Sequence, residues 1–255
     1  MPEPSNLIYG VNAVLEALRA GTRQIETITI LESARPDRLK SLIDLARQNG
    51  VPVHRVPRLD LDRSLGEVRH QGVVARIAAA RYADADELLD TLEAKIGTAD
   101  PPLVLGLDAI EDPRNMGSIL RTAECTGVHG VFIAERRAVG LTGVVAKVAA
   151  GALEYVPVAR VTNLVRLIEQ LKERNIWVVG TAGEATQLYT EWDWRLPVAL
   201  FLGNEGEGLH RLVRERCDTL VKIPLSGNIE SLNVSVAAGV LLYEVRRQRG
   251  LLNRR

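Results

Sequence analysis

The chain of 255 residues is 46% hydrophobic and 25% charged, the composition of a globular protein with material for one large domain or two ordinary ones. It has a formal net charge of zero, and no apolar run approaches the ~18–20 residues of a membrane span. The opening MPEPSNLIYG lacks the basic and apolar segments of a secretory leader, and Cys125 and Cys217 stand outside any zinc or CxxC spacing. A cytoplasmic protein without membrane contact, disulfide or metal is expected.

The zero charge is an average. Residues 1–82 carry 12 basic and 9 acidic groups, residues 83–100 carry 1 and 6, and residues 101–255 carry 19 and 17. A short acidic stretch therefore separates two mildly basic blocks. The last ten residues, RRQRGLLNRR, hold five arginines. This distribution is compatible with an RNA partner without requiring one.

In chain order, VNAVLEALRAG predicts a helix stopped at Gly21, where a left-handed residue ends the turn. IETITIL predicts a strand, DRLKSLIDLARQNG an amphipathic helix, PVHRV a strand, RLDLDRSLG a short helix and GVVARIAA a strand. That alternation over residues 1–82 is a small α/β sandwich. Residues 83–100, acidic and followed by Pro101-Pro102, are expected to be a linker. From Leu103 the rhythm restarts, with strands LVLGLD, GVFIA, IWVVG, PVALFLG and TLVKIPL. Between them lie the helices NMGSILRTAECTG, TGVVAKVAAGA, NLVRLIEQLKERN and GLHRLVRERC, and LNVSVAAGVLLYEVRRQRG closes the chain. Apolar strands alternating with helices predict a second α/β domain over residues 101–255, its mostly parallel sheet covered on both faces. Ligands of such sheets bind at the carboxyl ends of the strands.

Three loops at strand ends could carry chemistry. In DAIEDPRNMGSILRTAECTG, Asn115 is placed as the helix N-cap and Arg121 almost two turns further on. Arg121 is either a solvated side chain or a cation aimed at an anionic substrate. In LFLGNEGEGLHRLVRERC, Gly203, Gly206 and Gly208 reverse the dinucleotide order GxGxxG. They serve either a tight turn or close approach of backbone to a ligand, and Glu205 among them is placed to anchor an arginine. In IPLSGNIESLNVSVAAGVLLYE, Ser231 is the expected N-cap, which leaves Asn233, a mediocre helix former, unexplained. GxxxxGK[ST], HExxH and GxSxG are absent, and the four histidines form no ligand spacing.

Together and in this order, the three loops resemble the signature motifs of the SpoU (TrmH) family of RNA ribose 2′-O-methyltransferases, within the SPOUT superfamily. The resemblance covers residues 101–249 and implies an α/β catalytic domain tied in a trefoil knot, binding S-adenosylmethionine. The stretches IYGVNAVLEAL and HQGVVARI resemble the RNA-binding, ribosomal-protein-like domain that precedes it in many members. By the same resemblance, Asn115, Arg121, Glu205, Ser231 and Asn233 fall on active-site positions. Gly203, Ile223 and Leu232 fall on positions that cradle the cofactor, and Thr181 in the GTAGE loop lines the same pocket. The match is nearest to the subgroup that methylates a guanosine of 23S rRNA. A tRNA methyltransferase and a non-catalytic RNA-binding assembly protein are the competing readings. A nucleotide-binding α/β oxidoreductase is disfavoured, because no GxGxxG follows an early strand.

An arginine is almost never deprotonated in a protein. Arg121 is therefore expected to act as a cation towards phosphate and incipient alkoxide, oriented by Glu205 and supported by Asn115. The family resemblance also implies a homodimer with shared active sites. The C-terminal helix, apolar nearly all round, fits burial on more than one face.

Overall fold

The computed structural model describes residues 7–21, 25–34, 36–65, 71–77, 82–204, 206–229 and 231–250. The chain forms two compact units. The first comprises residues 1–81 with 140–155, the second residues 82–139 with 156–255.

The first unit carries β1 (Leu7–Tyr9), α1 (Val11–Ala20), β2 (Ile25–Leu31), α2 (Pro36–Gln48), β3 (Val53–Val56), α3 (Arg58–Leu65) and β4 (Val73–Ile77). Its sheet order is β1-β4-β2-β3, with only β2 and β3 parallel. In α1, Ala13, Val14, Ala17 and Leu18 are buried at helical spacing, and Gly21 closes the helix with φ 62. Val14, Ile28, Ile30, Leu42 and Val73 are fully buried in one core on α1 and α2. Leu61 of α3 packs with Tyr9 and Val74 in a smaller cluster. This is the expected small α/β sandwich. Strand β1 escaped the sequence because three residues are too few to show alternation.

The expected helix over residues 142–152 is interrupted, and it belongs to this first unit rather than to the second. The helix α6 (Gly143–Ala149) is capped by Thr142 and ends at Ala150 with φ 52, before a 3-10 turn over Ala152–Glu154. Ala146 is buried among the first unit's core residues. The Lys147 ammonium lies 4.8 Å from the Tyr9 ring centre, and the Tyr155 hydroxyl donates to Glu16 at 3.0 Å.

The second unit begins with a correction. Residues 83–100 do not form a linker: they carry α4 (Ala85–Glu93), whose Leu88, Leu89 and Leu92 are buried in the unit's core. Each such leucine contributes ~1.5–3 kcal/mol. The acidic side chains occupy the outer face and the N-terminus, where Asp84 accepts from the Asp86 and Glu87 amides, both at 3.0 Å. The composition recorded a solvated face and an acidic helix start, which mimicked a linker.

The remaining elements are β5 (Leu103–Leu107), α5 (Pro113–Cys125), β6 (Gly130–Ala134), β7 (Val158–Val161), α7 (Leu164–Glu173), β8 (Trp177–Thr181), β9 (Gln187–Leu188), β10 (Val198–Leu202), α8 (Arg211–Arg216), β11 (Thr219–Lys222) and α9 (Val234–Gln248). Seven parallel strands run in the order β7-β6-β5-β10-β8-β11-β9. Every residue of β5 and β10 is buried, which explains their continuous apolar sequences at the sheet's centre. Strands β7 and β9 were missed: one contains an exposed arginine, the other has two residues. No described helix is long and apolar enough to cross a membrane.

Candidate active site

Three strands deliver their loops to one place. Beyond the ends of β8, β10 and β11, Thr181, Gly203, Ile223, Ser231 and Leu232 line a cavity of ≈ 290 Å³. These five residues come from separated segments, and the resemblance assigned all of them to the site. Thr181 is held by its hydroxyl, which donates to the Phe201 carbonyl at 3.3 Å. Gly203 is required sterically, since a Cβ there would land on the Gly208 carbonyl and the Leu209 amide. The turn that brings them together is organised by Asn204. Its Oδ1 accepts from Gly206 and Glu207 amides at 2.9 and 2.7 Å, and its carbonyl accepts from Gly208 at 3.0 Å. The glycine-rich loop thus makes a tight turn, and Gly203, Gly206 and Gly208 of that turn line the cavity. At the rim, Arg214 pairs with Glu184, and Lys222 adds a cation.

A second cavity of ≈ 430 Å³ adjoins the first, sharing Asn204, Gly206, Glu207 and Val234. Asn115 forms part of its wall. A side-chain bond joins the first and third signature loops here: Asn233 Nδ2 donates to Asn115 Oδ1 at 3.0 Å. Both helix caps differ from the sequence expectation. The cap of α5 is Asp112, which accepts from the Arg114 amide at 2.7 Å with Pro113 starting the helix. Asn115 lies one turn inside and is buried. The cap of α9 is Asn233, whose Oδ1 accepts from the Ser235 and Val236 amides at 3.0 and 3.4 Å. Ser231 does not cap; it faces the first cavity. One asparagine therefore holds a helix start with its oxygen and a partner loop with its nitrogen.

Arg121 is exposed on α5 and lines neither cavity of its own chain. Glu205 lies outside the described residues.

Sequence reasoning missed a pair at the second cavity. Asp108, buried just after β5, accepts from the His210 amide and binds the His210 ring Nδ1, both at 2.8 Å. His210 precedes α8 as its N-cap position rather than lying within the helix. Its place directly after the glycine loop was the available signal, but the partner is 102 residues away.

The arginine-rich tail is also partly structural. Arg249 donates to the carbonyls of Trp194, Pro101, Pro102 and Leu196 at 2.9, 2.6, 3.0 and 2.9 Å. Burial pulls its pKa down to about 10, against the favourable charge of Asp100. Arg247 is bound to Glu244 through two bonds of 2.7 Å.

Residues 102–243, which contain both cavities, match the model of the SpoU rRNA Methylase family. The chain belongs to the SpoU rRNA Methylase family. Residues 7–83 of this SpoU chain match a second model, RNA 2′-O ribose methyltransferase substrate binding. It is 45% identical over 249 residues to the 23S rRNA (guanosine-2′-O-)-methyltransferase RlmB of Ralstonia nicotianae, covering 97% of this chain and 98% of that one. The protein of the same name from Shewanella oneidensis is 44% identical over 244 residues, with 96% and 98% covered. Among solved structures, the SpoU methyltransferase AviRb of Streptomyces viridochromogenes in complex with AdoMet is similar at 28% identity. It has a TM-score of 0.77, with 95% of this chain and 89% of that one covered.

Proposed function

We infer that this SpoU-family chain methylates the ribose 2′-hydroxyl of a guanosine in 23S rRNA, with S-adenosylmethionine as methyl donor. The observation that carries the reading is the cavity where Thr181, Gly203, Ile223, Ser231 and Leu232 converge at parallel strand ends. It occurs in a chain alike along nearly its whole length to proteins named for that activity. The cavity suits the donor. Its volume is at the low end for small-molecule sites, and aliphatic side chains such as Leu202, Ile223, Leu232 and Leu241 stand in its walls beside the glycine-rich loop. Backbone at Gly203, Ile223 and Leu232 would hold the cofactor, with Thr181 beside it. S-adenosylmethionine bound there supplies a methyl group activated on a sulfonium sulfur.

The chain's own residues must then align a ribose hydroxyl, a contribution worth ~7–11 kcal/mol in well-oriented reactions. The second cavity adjoins the first and is the proposed seat of the target nucleotide. Asn115 and Asn233, locked to each other, position it together with Ser231. Arg121 stabilises phosphate and the developing alkoxide as a permanent cation, and Glu205 orients it. Because Arg121 is exposed and lines neither cavity of its own chain, it is assigned to the cleft of a second copy. A homodimer through α5 and α9 fits that assignment. These helices pack together, and α9 leaves Val236 and Tyr243 about half exposed. Residues 1–82 are the proposed RNA-reading domain.

Incubation with labelled S-adenosylmethionine and separate unmodified 23S rRNA and tRNA, followed by mapping of the labelled nucleotide, tests the reading. Label on one rRNA guanosine ribose is expected. Label on tRNA alone would move the substrate within the family. Calorimetry without binding of the donor would favour the non-catalytic RNA binder.

A further inference from the structure

We propose that Asp108 and His210 form the proton-accepting pair for the ribose hydroxyl, an assignment that rests on the 2′-O-methylation reading above. Transfer to a neutral hydroxyl must release a proton, and an arginine cannot take it. The second cavity contains a group that can. Asp108, buried just after β5, accepts from both the His210 backbone amide and the ring Nδ1, each at 2.8 Å. This fixes the neutral ring with its proton on Nδ1 and leaves the Nε2 lone pair free. Nε2 has no hydrogen-bond partner among the described residues. The His210 side chain is 34% exposed and lines the same cavity as Asn115.

Among the described residues, the charged groups lining this cavity are Glu111 and Asp112 after β5, Arg137 after β6, and Glu207 in the glycine loop. Of these, Asp112 is committed to capping α5. Asp108 is withdrawn from the cavity and acts only through the ring it holds, so it is a positioning residue and His210 the catalytic one.

In the step, the ribose 2′-oxygen bonds to the methyl carbon while the methyl–sulfur bond breaks and leaves its electron pair on sulfur. The hydroxyl proton passes to His210 Nε2, and the imidazolium returns it to water. No further reactant is needed.

His210→Gln, which keeps the volume and removes the base, should lower kcat by ~100-fold or more. Its RNA KM and its calorimetric affinity for S-adenosylmethionine should stay within a few-fold of wild type. The acid limb of the kcat profile against pH should disappear. Independently of activity, long-range 1H–15N spectra of the unliganded wild-type protein should show neutral His210 protonated on Nδ1. Asp108→Asn should weaken that preference and lower kcat with it. A His210→Gln enzyme with wild-type kcat and pH profile, or a wild-type ring protonated on Nε2, overturns the assignment. The spectrum decides the matter even if a variant fails to fold. Wild-type protein that transfers no methyl to rRNA or tRNA sinks the function itself, whereas an active wild type matched by His210→Gln sinks only the base.

Discussion

Asn115 and Asn233 show how far single residues were legible. Both were singled out as polar groups at helix starts, yet the structure exchanges the expected caps. Pro113 fixes the first turn of α5, so Asp112 becomes the cap and Asn115 turns inward. At α9, helix start and inter-loop bond meet on Asn233, a double duty that local spacing cannot express. Arg121 is predicted to matter only for turnover. Arg121→Ala should reduce methyl transfer by ~100-fold or more while S-adenosylmethionine affinity measured by calorimetry stays within a few-fold. Arg121→Lys should fail as well, because a point charge does not replace the planar fork. Arg249 is the opposite case, with a structural duty and no place at either cavity. Arg249→Ala leaves four carbonyls without their donor and should cost about 3 kcal/mol in urea unfolding.

At the scale of elements, the approach to β5 contains an acid-sensitive latch. His129 Nδ1 accepts from the Leu103 amide at 3.0 Å, so its Nε2–H donates to Asp100 at 2.8 Å. Burial holds the His129 pKa below its ordinary value, outweighing the attraction of Asp100. Protonation would also turn Nδ1, which accepts from the Leu103 amide, into a donor. The unfolded chain therefore takes up this proton before the folded one. The contribution is fully present above the unfolded imidazole value, near 6.5, and is lost as pH falls through the lowered folded value. Thermal melts should show stability falling with acidification below that point, and His129→Gln should flatten the limb. Asp100 has the same sign in a lower window. Burial pushes its pKa up, but the hydrogen bonds from His129 and Lys95 prevail and lower it.

Elements also redraw the truncation boundaries. A chain lacking residues 1–82 should fold and bind S-adenosylmethionine with weak RNA affinity. Its residues 140–155, having lost their first-unit core, should exchange amide hydrogens fast. Cutting at 101 instead removes α4 and exposes the surface that covered Leu88, Leu89 and Leu92. Soluble, cooperatively melting 101–255 protein would refute that packing account.

For the whole molecule, sedimentation at micromolar concentration should give about twice the 28.0 kDa chain mass if α5 and α9 meet a second copy. Mixing Arg121→Ala with Asn233→Ala chains should restore part of the activity, since one of the two clefts then has both residues intact. A fully active monomer refutes the shared site. A dimer without complementation removes only the sharing.

The sequence alone determined the two-part α/β plan, the continuous apolar strands of the parallel sheet, and the three loops that meet at the site. Those features are local: periodicity, glycine at a forced turn, and motif order lie in adjacent residues. Tertiary structure decided the rest. It placed α4 inside a core although its composition resembled a linker, and it assigned α6 to the first unit although its sequence lies within the second. It also chose Asn233 over Ser231 as the cap and joined Asp108 to His210 across 102 positions. Each of these depends on which surface is covered by a distant part of the chain, and burial is a property of the packed molecule that no short stretch of sequence contains.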